Sequence, residues 1–159
     1  MTTERDRKFL EKAIELSRKG MLGGQGGPFG CIVVQGDEVV GEGCNQVTSS
    51  NDPTAHAEVV AIRNACEKLG TYQLTDCEIF TSCEPCPMCL GAIYWARPLR
   101  VVYANTKEEA AAIEFDDDFI YKEINTKLPD RKIPFIHVPH PLAKEVFAQW
   151  KQWEGKKRY

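Results

Sequence analysis

Apolar and polar residues alternate along this chain with two different periods. Residues 6–21 place apolar side chains three or four positions apart, which predicts an amphipathic first helix. The segment CIVVQGDEVVGEG contains two apolar runs around a Gly-Asp turn and predicts a β-hairpin. Shorter apolar runs at CEIFTS, LRVVYAN and IPFIHVP predict three further strands. The pattern therefore predicts five strands.

Helical segments separate these strands. In NDPTAHAEVVAIRNACEKLG, we expect Asp52 to be the N-cap and Pro53 the first helical residue. PCPMCLGAIYWAR predicts another helix, with its prolines confined to the first turn. KEEAAAIEF and PLAKEVFAQWKQW predict two more helices. This order predicts one α/β domain over residues 1–159, a three-layer α/β/α sandwich with a mixed five-stranded sheet.

The charge of the chain narrows the classes of partner. The 159 residues carry a formal net charge of −3, so no large basic field suggests nucleic acid or an anionic membrane. The first twenty residues are charged throughout and lack the apolar run of a signal peptide. No apolar stretch approaches the length of a membrane span. We therefore expect a cytoplasmic protein.

Seven cysteines are present, and three of them fall within CEPCPMC. In a reducing compartment, clustered cysteines are typical of metal sites or catalytic thiols rather than of disulfide frameworks. The four cysteines outside this segment lie in apolar or strand-like surroundings, and we interpret them as small buried hydrophobic residues. They are Cys31, Cys44, Cys66 and Cys77.

Cys86 and Cys89 form a C-x-x-C motif at the predicted start of a helix. Residues three apart on a helix share a face, and the helix N-terminus favours the thiolate that binds metal. A redox pair and half of a structural zinc site are the alternatives, but a structural site needs four protein ligands. His56, in the first turn of another predicted helix, would bring the number of protein ligands to only three. Three ligands and an open position are typical of catalytic zinc, and we expect one Zn²⁺ per chain.

Glu58 lies two residues after His56 and is the candidate general base. Zinc held by two thiolates and one imidazole acidifies a bound water less than an all-histidine site would, so a neighbouring base would help to deprotonate it. The alternative is that Glu58 itself binds the metal. We interpret Cys83, which precedes the helix, as a packed or hydrogen-bonded thiol near the site.

TAHAE and CEPCPMCLGAI contain the H-x-E and P-C-x-x-C motifs of zinc deaminases. At these residues the chain resembles the cytidine and deoxycytidylate deaminase superfamily, and the resemblance extends over nearly the whole chain. It implies that His56, Cys86 and Cys89 bind zinc. It also implies that Glu58 moves a proton from zinc-bound water to the ring and then to the leaving amine. Members of the superfamily commonly form dimers or tetramers, so a homodimer is expected.

GGPFGCIVV, NDPTAHAE and FDDDFIYKEI look most like the small bacterial guanine deaminases. By that resemblance Phe29 would stack on the purine, Asn45 would form a hydrogen bond with it and Trp95 would line the pocket. Asp117 and Tyr159 would close the site, in either the same chain or a partner chain. The substrate-binding residues expected on this basis are Phe29, Asn45, Ala57, Trp95, Asp117 and Tyr159. The implied reaction is the hydrolysis of guanine to xanthine and ammonia.

Hydrogen-bonding chemistry favours guanine independently. Beside the reacting amine, guanine presents adjacent N–H donors that a carboxylate accepts well, whereas adenine presents an acceptor at the corresponding ring nitrogen. The run Asp116-Asp117-Asp118 supplies carboxylates, although such a run is also typical of a solvated helix cap. Given the resemblance we expect Asp117 to contact substrate and to help transfer protons to the leaving ammonia.

Three alternatives stay open on the sequence. A transfer-RNA adenosine deaminase would share the zinc motifs but should carry a basic surface, whereas ANTKEEAAAIEFDDD is acidic. A deaminase of cytosine, guanosine or a triazine amine would differ only in the pocket. A zinc-stabilised binding module would have no need of Glu58.

Overall fold

The computed structural model describes residues 3–159, which fall into two compact units. The first unit ends at Asp117, and the second is Asp118–Tyr159. Among the described residues, no helix is long and apolar enough to cross a bilayer. The expectation of one domain over residues 1–159 stays a prediction.

The described part of the first unit contains four strands and five helices. In chain order these are α1 (Glu4–Leu22), β1 (Gly30–Gln35), β2 (Glu38–Cys44), α2 (Val47–Ser50), α3 (Ala57–Leu69), β3 (Cys77–Cys83), α4 (Pro87–Ala96), β4 (Arg100–Asn105) and α5 (Lys107–Ala111). The strands form one sheet in the order β2-β1-β3-β4. β1 is antiparallel to both β2 and β3, whereas β3 and β4 are parallel. The predicted α/β fold with a mixed sheet is confirmed, with four strands rather than five in residues 3–159.

Both faces of the sheet are covered by helices. Ile32, Val34 and Phe80 pack with α1 on one face. Cys31, Val33 and Ile79 pack with α3 and α4 on the other face. Successive strand residues point to opposite faces, so burial of both faces explains the continuous apolar run of β1. The helices on the second face carry the cysteine and histidine motifs.

Two glycines of β2 allow α3 to lie directly on the sheet. A Cβ at Gly43 would lie 2.3 Å from the Ala57 carbonyl oxygen, and one at Gly41 would lie 2.4 Å from the Ala61 carbonyl oxygen. These contacts are to backbone atoms, so any larger residue would push α3 away. The glycines therefore determine how closely α3 approaches the sheet, including its first turn, where Glu58 lies.

The predicted start of α3 is wrong by four residues. His56, not Asp52, is the N-cap, and the helix begins at Ala57 rather than Pro53. The Asp52 carboxylate instead accepts hydrogen bonds from the backbone N–H and the hydroxyl of Thr54, at 2.8 and 2.7 Å. Such local bonds compete with helix formation, and here they stabilise a turn.

The second unit contains α6 (Asp118–Asn125), a short 3₁₀ helix (Leu128–Asp130) and α7 (Pro141–Gln152). The predicted helix at 141–153 is thus confirmed, but the strand predicted at 133–139 is wrong, since these residues form no strand. Pro134 and Pro139 lack the N–H groups that a sheet ladder requires. The helix predicted at 107–115 ends early at Ala111, and Glu114 has a left-handed backbone with φ of 72°.

Candidate active site

The N-termini of α3 and α4 bring a histidine and two cysteines together. His56 is the N-cap of α3, Cys86 is the N-cap of α4, and Cys89 lies in the first turn of α4. Both sulfurs are 3.5 Å from His56 Nδ1. The three candidate ligand atoms lie within 4.8 Å of one another. The three residues predicted as metal ligands therefore form a cluster.

The geometry of this cluster suits a zinc ion. Zinc bonds to sulfur and nitrogen are about 2.0–2.3 Å long, so tetrahedral ligands stand roughly 3.3–3.8 Å apart. The measured separation of 3.5 Å between His56 Nδ1 and each sulfur falls in that range. Sulfur and imidazole nitrogen are also the donors that zinc prefers. The residues present therefore fit a zinc site with three protein ligands.

The two cysteines of the cluster are coupled through a hydrogen bond. That bond, together with the one to His56, lowers the pKa of Cys86 to about 4. The same bond between the sulfurs raises the pKa of Cys89, and burial raises it further. Without metal the pair thus favours one negative charge, and a bound cation would favour thiolates at both positions.

Glu58 lies in the first turn of α3 and is only 6% exposed. Its Oε1 accepts a hydrogen bond from Thr81 Oγ1 at 3.2 Å, and its Oε2 accepts one from Cys89 Sγ at 3.4 Å. Burial raises the pKa of Glu58, because removal from water disfavours the charged form. A buried carboxyl group with a raised pKa, next to the cysteine and histidine cluster, is suited to accepting and returning protons.

Asp117, the last residue of the first unit, interacts electrostatically with the cluster. Burial and the negative charge of Cys86 raise the pKa of Asp117. The Asp117 charge in turn contributes to raising the pKa of His56, after the larger effect of the Cys86 hydrogen bond. Asp118 instead begins α6 and pairs with Lys122 one turn later. The role predicted for Asp117 stays a prediction.

The Asn45 side chain is buried at the end of β2 and has a defined orientation. Its Oδ1 accepts hydrogen bonds from the backbone N–H groups of Gly27 and Val47, each at 3.2 Å. Since the carbonyl oxygen is bound to backbone, the two N–H donors of the amide point away from these groups. Asn45 can therefore offer donors, rather than an acceptor, to a ligand.

Phe29 makes an aromatic contact that the sequence did not reveal. Its ring meets the edge of Phe115 with centroids 4.9 Å apart and an interplanar angle of 88°. A Cβ at Gly27 would lie 2.9 Å from Phe115 Cζ and 3.2 Å from Phe29 Cδ2. The glycine-rich loop thus leaves the space in which the two rings meet. Glu114 has a left-handed backbone conformation that redirects the chain before Phe115. No sequence pattern predicts that conformation at a glutamate.

The remaining predicted site residues occupy different settings. Ala57 is fully buried between His56 and Glu58. Trp95 lies near the end of α4 and is 62% exposed. Tyr159 ends the second unit, and the roles predicted for Trp95 and Tyr159 stay predictions. Cys83 is buried, with its sulfur 3.7 Å from the Thr106 carbonyl oxygen, as expected for a packed thiol.

The four cysteines outside the motif are free thiols in two kinds of surroundings. Cys31 and Cys77 are buried, as expected for small hydrophobic residues, and burial raises the pKa of both. Cys44 and Cys66 are only partly buried. The prediction of four buried cysteines is therefore right for two of them.

Comparison with known proteins gives consistent matches. Residues 3–105 match the family described as the cytidine and deoxycytidylate deaminase zinc-binding region. The chain is 54% identical to guanine deaminase of Bacillus subtilis (strain 168), over 95% of this chain and 97% of that protein. The X-ray structure of guanine deaminase from Bacillus subtilis superposes with a TM-score of 0.94 and 53% identity, covering 96% of this chain and 98% of the other.

Two more distant relatives have names that mention different molecules, a tRNA and a guanine analogue. A tRNA-specific adenosine deaminase of Haemophilus influenzae is 35% identical over 74% of this chain and 70% of its own length. A mutant protein solved in complex with 8-azaguanine is 34% identical, with a TM-score of 0.67, over 70% of this chain and 65% of that chain.

Proposed function

Because this chain belongs to the cytidine and deoxycytidylate deaminase zinc-binding family, we propose that it hydrolyses guanine to xanthine and ammonia. The observation that carries the proposal is the cluster of His56, Cys86 and Cys89 beside the buried Glu58. That cluster occurs in a chain 54% identical to a guanine deaminase over 95% of its length. In the reaction water adds at the ring carbon that bears the amine, and the amine leaves as ammonia.

We propose one zinc ion per chain, held by His56, Cys86 and Cys89. When bound, zinc supplies a Lewis acid that makes water a better nucleophile at neutral pH. The donor set and the 3.5 Å spacing of the ligand atoms support this assignment.

Glu58 has the proposed role of proton carrier. Its carboxylate takes a proton from the attacking water and transfers it to a ring nitrogen. It then takes the second proton of that water and transfers it to the leaving amine. The burial of Glu58 supports this role, since a raised pKa lets the carboxyl group hold the proton between these transfers. Its contact with Cys89 places Oε2 beside the cluster.

Asp117 has two proposed roles, as a substrate contact and as a second acid. Its carboxylate would accept the adjacent N–H donors of guanine, and it would help Glu58 to transfer the water-derived proton to the departing amine. The raised pKa of Asp117, caused by burial and by the charge of Cys86, supports the second role, because it makes the protonated form easier to reach.

The other proposed contacts define the pocket for a purine base. Phe29 stacks on the ring, supported by its edge contact with Phe115. Asn45 donates N–H groups to ring acceptors, supported by the fixed orientation of its amide. Ala57 contacts the base, Trp95 lines the pocket, and Tyr159 closes over the ligand.

A tRNA adenosine deaminase is the second candidate, favoured by the 35% identity to such an enzyme. The net charge of −3 argues against it, since binding of folded RNA depends on basic residues that neutralise phosphates. Deamination of another small amino-heterocycle, such as cytosine, guanosine or a triazine, would use the same zinc and Glu58.

An ammonia-release assay with ultraviolet spectra separates these candidates. The panel is guanine, guanosine, adenine, adenosine, cytosine, cytidine and an unmodified tRNA transcript. We expect guanine to yield xanthine and the other compounds to be inert. Turnover of the tRNA alone would leave the zinc chemistry intact but overturn the assignment of Asp117 and Tyr159 to guanine.

We also propose that the protein is a cytoplasmic homodimer. None of the side chains in Asp118–Tyr159 is buried, and large apolar residues such as Ile136 and Phe147 are at least 80% exposed. Apolar exposure on this scale is typical of surfaces that another chain covers. All seven cysteines are free thiols, which suits a reducing compartment. Light scattering should give twice the mass of one chain, and a monomer mass would overturn the dimer.

A further inference from the structure

Thr81 is a polar residue in an apolar row of the sheet. It lies on β3 between Ile79 and Cys83, which point to the same face, and it is 1% exposed. Valine has nearly the same shape and would continue the row without burying a hydroxyl group. A buried hydroxyl is costly unless it is hydrogen-bonded, so its partner indicates why threonine is present.

The Thr81 hydroxyl has two acceptors within reach but only one proton. Oγ1 lies 3.2 Å from Glu58 Oε1 and 3.5 Å from the Gly30 carbonyl oxygen. A hydroxyl donor prefers about 2.5–3.0 Å and a charged acceptor, so the carboxylate is the better partner on both counts. Thr81 therefore donates to Glu58, and the Gly30 contact is secondary.

The two oxygens of the Glu58 carboxylate are held from different elements. Thr81 on β3 donates to Oε1, and Cys89 on α4 donates to Oε2. A cysteine that binds zinc does so as the thiolate and has no proton to donate. Of these two donors, only Thr81 can hold Glu58 in the zinc-loaded protein.

We propose that Thr81 is a positioning residue for Glu58. Its hydroxyl anchors Oε1 and so fixes the rotation of the carboxylate with Oε2 beside the cluster. The rigid sheet supports this anchor, because Thr81 is paired with Cys31 on β1 and with Tyr103 on β4. The inference rests on the proposed role of Glu58 in proton transfer and adds the group that orients it.

Two pairs of variants isolate the hydroxyl group. Thr81→Val removes it and keeps the shape, and Thr81→Ser keeps it and removes a methyl group. Thr81→Ala is compared with Thr81→Ser, so the hydroxyl can still be judged if Thr81→Val fails to fold. The control is Ser82→Ala, which removes another buried hydroxyl, one that accepts from the Gly30 N–H on the opposite face.

The first readout is kinetic. We expect Thr81→Val to lower kcat about 10- to 100-fold, the scale of a hydrogen bond to a charged group, with KM and zinc content nearly unchanged. Thr81→Ser should recover most of kcat, and Thr81→Ala should not. Ser82→Ala should keep kcat within about two-fold while lowering the melting temperature. Equal kcat in Thr81→Ser and Thr81→Ala would overturn the proposal.

The second readout does not depend on turnover. In crystal structures of the zinc-loaded proteins, we expect the Glu58 carboxylate to rotate or to occupy two conformers in Thr81→Val, and to be unchanged in Thr81→Ser. An unmoved carboxylate in Thr81→Val would contradict the positioning role. If the wild-type protein deaminates another compound of the panel but not guanine, the guanine assignment fails. The Thr81 variants are then compared on that compound.

Discussion

At the scale of residues, the site combines groups that the sequence identifies with groups that it does not. His56, Glu58, Cys86 and Cys89 are readable because their types and spacings match the needs of zinc and a base at two helix starts. Phe115 reaches Phe29 because the chain turns at Glu114. Thr81 reaches Glu58 because α3 packs on the sheet. Contacts of that kind depend on tertiary structure, so no local pattern predicts them.

The contact between Phe115 and Phe29 predicts an effect on substrate binding. Phe115→Ala removes an edge-to-face contact whose typical strength corresponds to a rise in KM of about 2- to 12-fold for guanine. We expect a smaller change in kcat, because this contact holds Phe29 and not Glu58 or a metal ligand. Steady-state kinetics with zinc-replete protein gives both constants.

Ile113→Ala is the matched control for Phe115→Ala, since Ile113 lies two residues earlier and is 52% exposed. It should leave KM unchanged. Phe115→Tyr keeps an aromatic edge and should behave like the wild type. If Phe115→Ala left KM for guanine unchanged, Phe115 would have no part in holding the purine-stacking ring.

At the scale of elements, α1 is tied to the sheet by an ion pair. The Asp6 carboxylate is 1% exposed and accepts from Arg100 Nη2 at 2.6 Å, and Arg100 Nε also donates to Glu78 at 2.5 Å. The Arg100 hydrogen bond, together with the capping N–H of Thr3, holds the pKa of Asp6 well below its usual range. One side chain thus caps α1 and joins it to β4.

This depressed pKa predicts how the contribution of Asp6 depends on pH. The stabilisation is complete above the unfolded pKa, about 3.9, and it is lost as pH falls toward the folded pKa. Asp6→Asn should therefore lower the melting temperature most above about pH 5, and the gap from wild type should narrow between about pH 5 and 2. Thermal unfolding followed by circular dichroism measures the gap.

Asp37→Asn serves as the control for Asp6→Asn, since Asp37 is 87% exposed and pairs with Arg5 at the surface. Exposed pairs contribute little, so its melting temperature should stay close to that of wild type at each pH. A gap for Asp6→Asn that stayed constant from neutral to acidic pH would show that the carboxylate charge does not stabilise α1.

The elements themselves were predictable wherever apolar periodicity coincided with burial. β1 to β3 and the helices on both faces follow that rule, and β4 contributes partly buried residues. Residues 133–139 have the apolar content of a strand, but a strand needs a partner, and periodicity gives no information on pairing. The start of α3 was misplaced because Asp52 and Pro53 are equally suited to a turn.

At the scale of the whole molecule, the chain joins a well-packed unit to a C-terminal unit without buried side chains. The cluster, Glu58, Asp117, Phe29 and Asn45 all belong to the first unit. Tyr159, the last residue, belongs to the second unit, and its predicted role is to close over the substrate.

Removal of Tyr159 tests that role. A variant that ends at Arg158 should show a raised KM or a lowered kcat for guanine, with unchanged melting temperature and zinc content. Tyr159→Phe is the companion variant, since it separates the ring from the hydroxyl group. Unchanged kinetics in the shortened protein would remove Tyr159 from the site.

The most direct test of the whole account is the rate of xanthine formation by wild type and by Glu58→Gln, with zinc measured in the same samples. Glutamine keeps the shape of Glu58 but cannot carry the proton. We predict about one zinc per chain in both proteins and a rate roughly 10²- to 10⁴-fold lower in Glu58→Gln, the scale of general acid–base catalysis. Equal rates, or a wild-type protein that forms no xanthine from guanine, would contradict the account.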